Sequence, residues 1–306
     1  MTLTSAISGL TLWRRLTRPS RIVHSARDWD RFAGKRWESR VMSVAVGDRH
    51  HAKQGRSIGR WTLTGDKGAS LVVYLKRHYE LPRVHGLLAA LFPGRAWSPG
   101  VQEWEHLAWA QSQGIPVPRP VAAGEFRGPW GKLQSFLAVE ELTGMLALHE
   151  AIPLAKSRLS PEEFAKWKRG LIAEMALLGR ELHRRGAYHK DLYLCHFYIA
   201  ESDTAVSPKA WQGRVAMIDF HRLGRHRLGK AWFQVKDLAQ LMYSCDGVDG
   251  VTVRDRLRFW KLYRGSPADW GRSSRPRQWV AVAARWKWRL YARHSARRKA
   301  RSGRTR

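Results

Sequence analysis

Residues 188–199 read YHKDLYLCHFYI, and a His-Lys-Asp trio ending at Asp191 interrupts this largely apolar run. A further histidine, His196, follows five residues after Asp191. A shorter stretch, MIDFHR at residues 217–222, places Asp219 directly after an apolar segment. Removing a carboxylate from water is costly unless something pairs with it. Two acids at the ends of apolar strands therefore suggest a bound cation, or a proton to be accepted.

The order of these two acids resembles the catalytic loop and metal-binding aspartate of protein kinases, H-R-D-x-x-x-x-N followed by D-F-G. Here the first motif reads HKD and ends at Asp191, with His196 where the template has Asn. The second motif reads DFH and begins at Asp219. A chain with this layout also needs a phosphate-binding lysine upstream of both acids.

Composition limits the class of protein. The chain has 306 residues, 44% of them apolar and 16 of them Trp, which is typical of a folded protein with one large or two modest domains. Its formal net charge of +30 predicts attraction to a polyanion: a nucleic acid, an anionic membrane or a phosphorylated substrate. The two cysteines, Cys195 and Cys245, show no metal-binding spacing and indicate reduced thiols in a cytosolic protein. We see neither a signal peptide nor the ~18 consecutive apolar residues that span a bilayer, and expect a soluble or peripheral protein.

The first third of the chain is predicted to be rich in β-strands. Residues 1–35 are basic and lack a clear period, so we treat them as a lead-in. Strands are expected at Val41–Val46, Arg60–Thr64 and Ser70–Lys76, with a hairpin turn at residues 65–68 between the last two.

A glycine-containing segment, KQGRSIGR at residues 53–60, precedes that hairpin. It is either an ordinary turn or a segment that covers bound phosphates, with the backbone N–H groups of Gly55, Ser57 and Gly59 close to the phosphate oxygens. Its position before two strands, the second of which ends in Lys76, favours the phosphate cover.

Lys76 follows the apolar run 71–75, which suits a buried strand. A lysine in this position is usually a surface residue, but in a kinase-like sheet it would bind phosphates and pair with a helical glutamate. A helix is predicted from the Ser98-Pro99 start signal to Gly114. It carries Glu103, the preferred partner of Lys76, and Glu105, which remains an alternative.

The second half is predicted to be mainly helical. We expect the crossing between a β-rich and a helical lobe at residues 142–145, with backbone groups from Glu140 to Leu142 at an adenine edge. Ser160 opens a long core helix with a capping box. A later core helix carries Asp237 near its start, and we expect this aspartate to hold the catalytic-loop backbone.

The last stretch, residues 275–306, contains twelve Lys or Arg and no acid, interleaved with Trp and Tyr. A basic aromatic helix of this kind suits an anionic membrane surface, although it would also suit RNA. We therefore divide the chain into a lead-in (1–35), an N-lobe with the nucleotide-phosphate site (36–143), a C-lobe with the catalytic and metal-binding loops (144–274) and a basic aromatic helix or tail (275–306).

Several of these segments together resemble the lipopolysaccharide core kinases of the Kdo/WaaP family over residues 53–265. They are YLKRHY around Lys76, QEW around Glu103 with GIPVP at 114–118, HKDLYLCHF at 189–197, IDFHR around Asp219 and VKDL around Asp237. DLYLCHF is the most specific of these signatures.

The resemblance implies an α+β, two-lobed protein-kinase-like fold and ATP-dependent phosphorylation of a Kdo or heptose hydroxyl at the cytoplasmic face of the inner membrane. It implies roles for Asp191 as catalytic acid/base, for Asp219 as Mg²⁺ ligand and for Lys76, paired with Glu103, as the phosphate-binding lysine. His196 agrees with the family pattern and would either contact the metal or order the loop.

Two other classes of function stay open. A kinase-shaped binding or scaffold protein without catalysis would keep the fold, but the intact Lys76, Asp191 and Asp219 disfavour it. A nucleic-acid-binding protein would use the positive charge but leaves both central acids unexplained, so nucleic acid is not the partner we expect. The expected partners are ATP, a lipopolysaccharide core sugar and the anionic inner-membrane surface.

Overall fold

A computed structural model describes residues 13–47, 55–65, 68–271, 273 and 275–302. The backbone contacts divide the chain into two compact units. The first unit, the N-lobe, comprises the described residues up to Ser112 together with Pro118–Leu142, and the second, the C-lobe, comprises Gln113–Val117 and the chain from Thr143 onward.

The N-lobe contains one antiparallel five-stranded sheet in the order β1-β4-β5-β3-β2. Its strands are β1 (Ser20–Ser25), β2 (Arg56–Thr64), β3 (Ser70–His78), β4 (Pro120–Arg127) and β5 (Leu133–Glu140). The predicted hairpin is confirmed, because Thr64 pairs with Ser70 across β2 and β3. Residues 66 and 67 of its turn lie outside the described residues.

Strand β3 alternates between two faces of this sheet. Leu71, Val73, Leu75 and Arg77 are buried on one face, where the three apolar side chains belong to the core cluster that includes Trp29 and Trp37. Because side chains alternate along a strand, Lys76 points to the opposite face. The helices α1 (Trp29–Ala33) and α2 (Trp37–Arg40) contribute to the cluster on the first face.

The strand predicted at Val41–Val46 is absent: the backbone forms turns at residues 41–43 and is irregular after them. The reason is the guanidinium of Arg77, which is 1% exposed and donates hydrogen bonds to the carbonyl oxygens of Val41, Met42 and Val44. These carbonyls satisfy a buried charge, so apolar alternation in this segment does not lead to a strand.

Strand β1, the helices α1 and α2 and a further helix after β3 were not predicted in the N-lobe. Strand β1 lies within residues 1–35, the segment treated as a lead-in, and pairs along its whole length with β4. Helix α3 (Arg83–Leu91) follows β3. It is succeeded by α4 (Pro99–Ser112), which begins within a residue of the predicted start.

Helix α4 approaches the sheet closely at Gly100. A Cβ atom at this position would collide with the backbone carbonyl of Phe136 in β5, so a glycine is required there. The close approach holds the next turn of α4, which carries Glu103, against the face of the sheet that carries Lys76.

The C-lobe is built from five helices among its described residues: α5 (Leu148–Arg158), α6 (Pro161–Arg184), α7 (Lys230–Ser244), α8 (Val253–Arg264) and α9 (Gln278–Ser302). The predicted capping box at Ser160 is confirmed, since its side chain accepts from the Glu163 N–H and Glu163 bonds back. An apolar cavity of about 340 Å³ lies among these helices, lined by residues such as Met175, Leu241 and Phe259.

Short strands of the C-lobe hold the two acidic loops. Strands β6 (Met145–Ala147), β8 (Phe197–Ala200) and β9 (Ala216–Met217) form one small sheet, while β7 (Ala187–Tyr188) pairs with β10 (Gly224–Arg225). Asp191 lies between β7 and β8, and Asp219 lies two residues after β9. This is the order of elements that the sequence motifs predicted.

Candidate active site

In the N-lobe, Lys76 forms an ion pair with Glu103. The Nζ of Lys76 lies 2.7 Å from Oε1 of Glu103, and the two side chains are 13% and 5% exposed. Glu105, the alternative partner, is exposed on the same helix. An ion pair shielded from water fixes the ammonium group in one position, as a phosphate-binding lysine requires.

The segment with Gly55, Ser57 and Gly59 differs from the predicted loop. Strand β2 already begins at Arg56, so Ser57 and Gly59 belong to the strand and face Arg77 and Leu75 of β3. Gly55 precedes it with a φ of +81°. The hydroxyl of Ser57 accepts from Arg77 Nε at 3.1 Å and contacts the Tyr79 hydroxyl at 3.2 Å. Residues 48–54, including Lys53, lie outside the described residues.

The segment from Glu140 to Leu142 ends the N-lobe. The backbone N–H of Glu140 donates to the Arg119 carbonyl, and that of Glu141 donates to the Val72 carbonyl, both at 2.9 Å. The Glu140 carboxylate accepts from Arg119 Nε at 2.7 Å. A contact between this segment and adenine stays a prediction.

In the C-lobe, Asp237 on α7 holds the loop that leads to Asp191. Its two carboxylate oxygens each accept a backbone N–H at 2.8 Å, one from His189 and one from Lys190. The expected support of the loop by Asp237 is confirmed. It fixes a strained conformation, because Lys190 adopts a left-handed φ of +64°.

The carboxylate of Asp191 is bound by two side chains that the sequence analysis did not identify. Arg222 donates from one guanidinium nitrogen to both oxygens, at 3.0 and 3.1 Å, and Gln240 Nε2 lies 3.3 Å from Oδ1. Gln240 is three residues after Asp237, hence on the same side of α7, and Arg222 ends the IDFHR motif. These two spacings are the sequence signals from which Gln240 and Arg222 could have been identified.

Asp219 closes the second loop in a left-handed conformation, with a φ of +65°. Its Oδ1 accepts a hydrogen bond of 2.7 Å from Nδ1 of His221, whose Nε2 lies 4.0 Å from Asp191 Oδ2. The imidazole of His221 therefore lies between the two acids. The structure brings Asp191 and Asp219 into one site.

His196 links the same two loops. Its Nδ1 lies 2.7 Å from the Asp191 carbonyl oxygen, which can only accept, so Nδ1 donates. The other nitrogen, Nε2, faces Asp219 Oδ2 at 3.7 Å. A histidine whose Nδ1–H is fixed by a carbonyl has its Nε2 available for a metal.

The side chains of Asp219 and His196 are compatible with a Mg²⁺ ion that is bound together with ATP, as in kinases. Within the ranges given above, no group of three or more His, Cys, Asp or Glu side chains could hold a metal. Mg²⁺ is usually bound by one or two carboxylates, with phosphates and water completing its shell. Asp219, with His196 beside it, meets that requirement.

His189 connects the start of the first loop to the second. It is fully buried, and its Nε2 donates to the Ile218 carbonyl at 3.0 Å. Burial lowers the pKa of His189, because the charged imidazolium is poorly solvated there. The neutral imidazole of His189 thus links the HKD motif by a hydrogen bond to Ile218, the residue before Asp219.

The N-lobe sheet with its Lys–Glu pair and the helical C-lobe with its two acidic loops define a protein-kinase-like fold. A solved structure described as WaaP in complex with acyl carrier protein matches with a TM-score of 0.61 and 24% identity, covering 87% of this chain and 99% of that one. This likeness confirms the predicted fold class.

The model of the lipopolysaccharide kinase (Kdo/WaaP) family matches residues 91–263, and the chain belongs to that family. The lipopolysaccharide core heptose(I) kinase WaaP of Pseudomonas aeruginosa is 33% identical over 167 residues, or 54% of this chain and 59% of that protein. The 3-deoxy-D-manno-octulosonic acid kinase of Photobacterium damsela subsp. piscicida is 29% identical over 193 residues, or 62% and 71%. The match thus spans about three fifths of the first of these relatives.

Proposed function

We propose that this chain is an ATP-dependent kinase that phosphorylates a sugar hydroxyl, on Kdo or heptose, of the lipopolysaccharide core. The observation that carries the proposal is the arrangement of Asp191 and Asp219 around the His221 imidazole, at the ends of loops that the chain stabilises with buried hydrogen bonds. The activities of the two relatives, a heptose kinase and a 3-deoxy-D-manno-octulosonic acid kinase, supply the acceptor class.

Each residue has a defined part in this proposal. Asp191 orients the acceptor hydroxyl and accepts its proton, and Arg222 and Gln240 fix its carboxylate. Asp219 and His196 hold Mg²⁺, which neutralises phosphate charge when it is bound with ATP. Lys76, held by Glu103, contacts the α- and β-phosphates. Gly55, directly before β2, lies near the phosphates, and the backbone from Glu140 to Leu142 lies along adenine.

The decisive experiment is phosphate transfer from labelled ATP to a purified lipopolysaccharide core, followed by mapping of the phosphate. Asp191→Asn removes the proton acceptor and is expected to lower kcat by roughly 10²–10⁴-fold. Asp219→Asn is expected to abolish the Mg²⁺-dependent thermal shift with ATP. Asp249→Asn, an exposed C-lobe aspartate paired with Lys156, is the matched control and should retain activity. Unchanged transfer by Asp191→Asn would refute the mechanism, and a wild-type chain that binds ATP without transfer would be a scaffold.

We further propose that the protein acts at the cytoplasmic face of the inner membrane, attached through α9. The described part of this helix exposes Trp279, Val282 and Trp286, at helical spacing, beside Arg285 and Arg289. Apolar and aromatic side chains next to arginines suit an anionic lipid surface. None of the helices in the described part of the chain is long and apolar enough to span a bilayer.

A further inference from the structure

Four cations of the C-lobe lie close to one another beside the candidate catalytic loop. We name Lys190, Arg222, Lys236 and Lys287 the cationic cluster. Lys190 precedes Asp191, and its Nζ lies against Gly224, where a Cβ atom would stand if that residue had one. Arg222 contacts Asp191 directly. Lys287 comes from α9 and lies 4.0 Å from the ring centre of Trp232.

The cations influence one another electrostatically. Burial, followed by the charges of Lys236 and Arg222, lowers the pKa of Lys190. Burial, followed by the charge of Lys236, lowers the pKa of Lys287. Lys236 also follows Trp232 by four residues on α7, so it lies on the same face of that helix as the ring that Lys287 contacts. Partly buried like charges repel one another, and an anion that binds among them removes this repulsion.

Within the described part of the chain, no acid forms an ion pair with the lysines of the cluster. Asp237 faces Lys190, but its oxygens accept the two backbone N–H groups of the loop and lie beside His183. Asp191 is bound by Arg222 through a single guanidinium nitrogen, and the Arg222 side chain is 52% exposed. About half of the Arg222 side chain is therefore exposed next to Asp191.

An exposed aromatic ring lies next to the same cations. Trp232 is 63% exposed, at the start of α7. An indole face offers a flat apolar surface to the apolar face of a sugar ring, while neighbouring cations bind anionic substituents. The combination is suited to an anionic saccharide.

We infer that the cationic cluster and Trp232 form an acceptor subsite that binds a phosphate or carboxylate group of the core saccharide while the hydroxyl to be phosphorylated is at Asp191. The inference rests on the proposed function and deepens it. Arg222 holds the catalytic carboxylate with one nitrogen and contacts the acceptor anion with the others. Lys236 and Lys287 bind the same anionic region, and Trp232 packs against a sugar ring.

The test uses the full-length chain with Lys236→Gln, Lys287→Gln and the double variant. Charge-assisted hydrogen bonds are stronger than neutral ones, so each single variant is expected to raise KM for the core acceptor about tenfold. The double variant should raise it by roughly 10²-fold. KM for ATP and kcat should stay within about twofold of the wild type. Lys166→Gln, an exposed lysine on α6, is the matched control of equal charge change.

Two modified acceptors identify the anion. One has its phosphates removed, and the other has its carboxylates reduced to alcohols. The modification that removes the recognised group should raise KM for the wild type but have little further effect on the double variant, because the two changes delete the same contact. If the variants raise the acceptor KM no more than Lys166→Gln does, the inference is wrong.

A binding measurement separates this inference from the proposed function. Calorimetric titration with the purified core oligosaccharide requires no turnover. Transfer by the wild type with equal acceptor binding by the double variant overturns the subsite and leaves the kinase proposal intact. If the wild type shows no transfer activity and the double variant binds the acceptor more weakly than the wild type does, the subsite is supported and the kinase proposal is wrong.

Discussion

The ion pair between Lys76 and Glu103 is the feature of the N-lobe on which the proposed nucleotide binding depends most directly. Both side chains are largely shielded from water, so neither charge is well solvated without the other. The pair also depends on Gly100, because the close contact of α4 with β5 sets the distance between the helix and β3. Gly100 thus helps to set the position of the Glu103 carboxylate that pairs with the Lys76 ammonium group.

Glu103→Gln should therefore lower kcat/KM for ATP by roughly 30-fold, corresponding to about 2 kcal/mol lost when one partner of a shielded pair is removed. Steady-state kinetics with varied ATP provide the measurement, and the melting temperature without ATP reports any loss of stability. Glu105→Gln is the matched control, since Glu105 is exposed two residues further along the same helix. A Glu103→Gln enzyme with the kcat/KM of this control would contradict the assignment.

The acids of the site were predictable from the sequence, whereas their partners were not. Asp191, Asp219 and Asp237 stand at fixed distances from apolar runs and follow a known order, which made them visible. Arg222 and Gln240 were missed because a basic chain offers many candidate partners for one carboxylate. Ser57 was assigned to a loop because its hydrogen bond to Arg77 forms only after β2 and β3 have paired.

Two helices of the C-lobe begin with capping boxes that differ in burial. At the start of α6, Ser160 and Glu163 are exposed. At the start of α8, Thr252 and Asp255 form the same reciprocal pair. There the Asp255 carboxylate also lies 2.7 Å from Lys168 Nζ, with the two side chains 9% and 14% exposed. The contact of Asp255 with Lys168 thus joins the start of α8 to α6.

This difference leads to a prediction about pH. Burial by itself would raise the pKa of Asp255, but the hydrogen bonds from Lys168 and Thr252 outweigh it and lower the pKa below its ordinary value of 3.8. The stabilisation is thus present at neutral pH and is lost as the pH falls below 3.8 through the folded-state pKa. Asp255→Asn should lower the free energy of unfolding by about 1–3 kcal/mol near pH 7, and the difference from wild type should shrink near pH 3.5.

Urea unfolding of both proteins at several pH values measures this difference. Glu163→Gln is the control, because it changes the exposed box and should have a smaller effect. If the difference between wild type and Asp255→Asn is the same at all pH values, the carboxylate charge is not the source of the stabilisation.

Elements with a strong local signal were predicted well, and those that depend on distant contacts were not. The hairpin of β2 and β3, helix α4 and the Ser160 cap follow from residues close together in sequence. The segment Val41–Val46 alternates like a strand, yet its conformation is set by Arg77, more than thirty residues away. Strand β1 carries no clear alternation, and it exists because β4 offers its edge.

The net charge of +30 is unevenly distributed along the chain, and its significance belongs to the molecule as a whole. The region from residue 275 contains twelve basic residues without an acid, whereas the candidate active site contains several acids. A general polyanion binder would not need both a basic segment from residue 275 onward and buried carboxylates in the C-lobe. The proposed membrane attachment and the proposed acceptor subsite assign separate tasks to these cations.

Membrane attachment through α9 can be tested with Trp279→Ala/Trp286→Ala in the full chain, measured by co-sedimentation with lipid vesicles. The wild type should bind vesicles containing anionic phosphatidylglycerol and bind neutral phosphatidylcholine weakly, and salt should weaken binding because it screens the arginines. The double variant should lose about tenfold or more in affinity, since each exposed indole contributes of order 1 kcal/mol or more on burial in the interface. Trp130→Ala is the control, because Trp130 is 52% exposed in the N-lobe. Equal losses in the control and the double variant, or equal binding to both kinds of vesicle, would show that α9 does not attach the protein to the membrane.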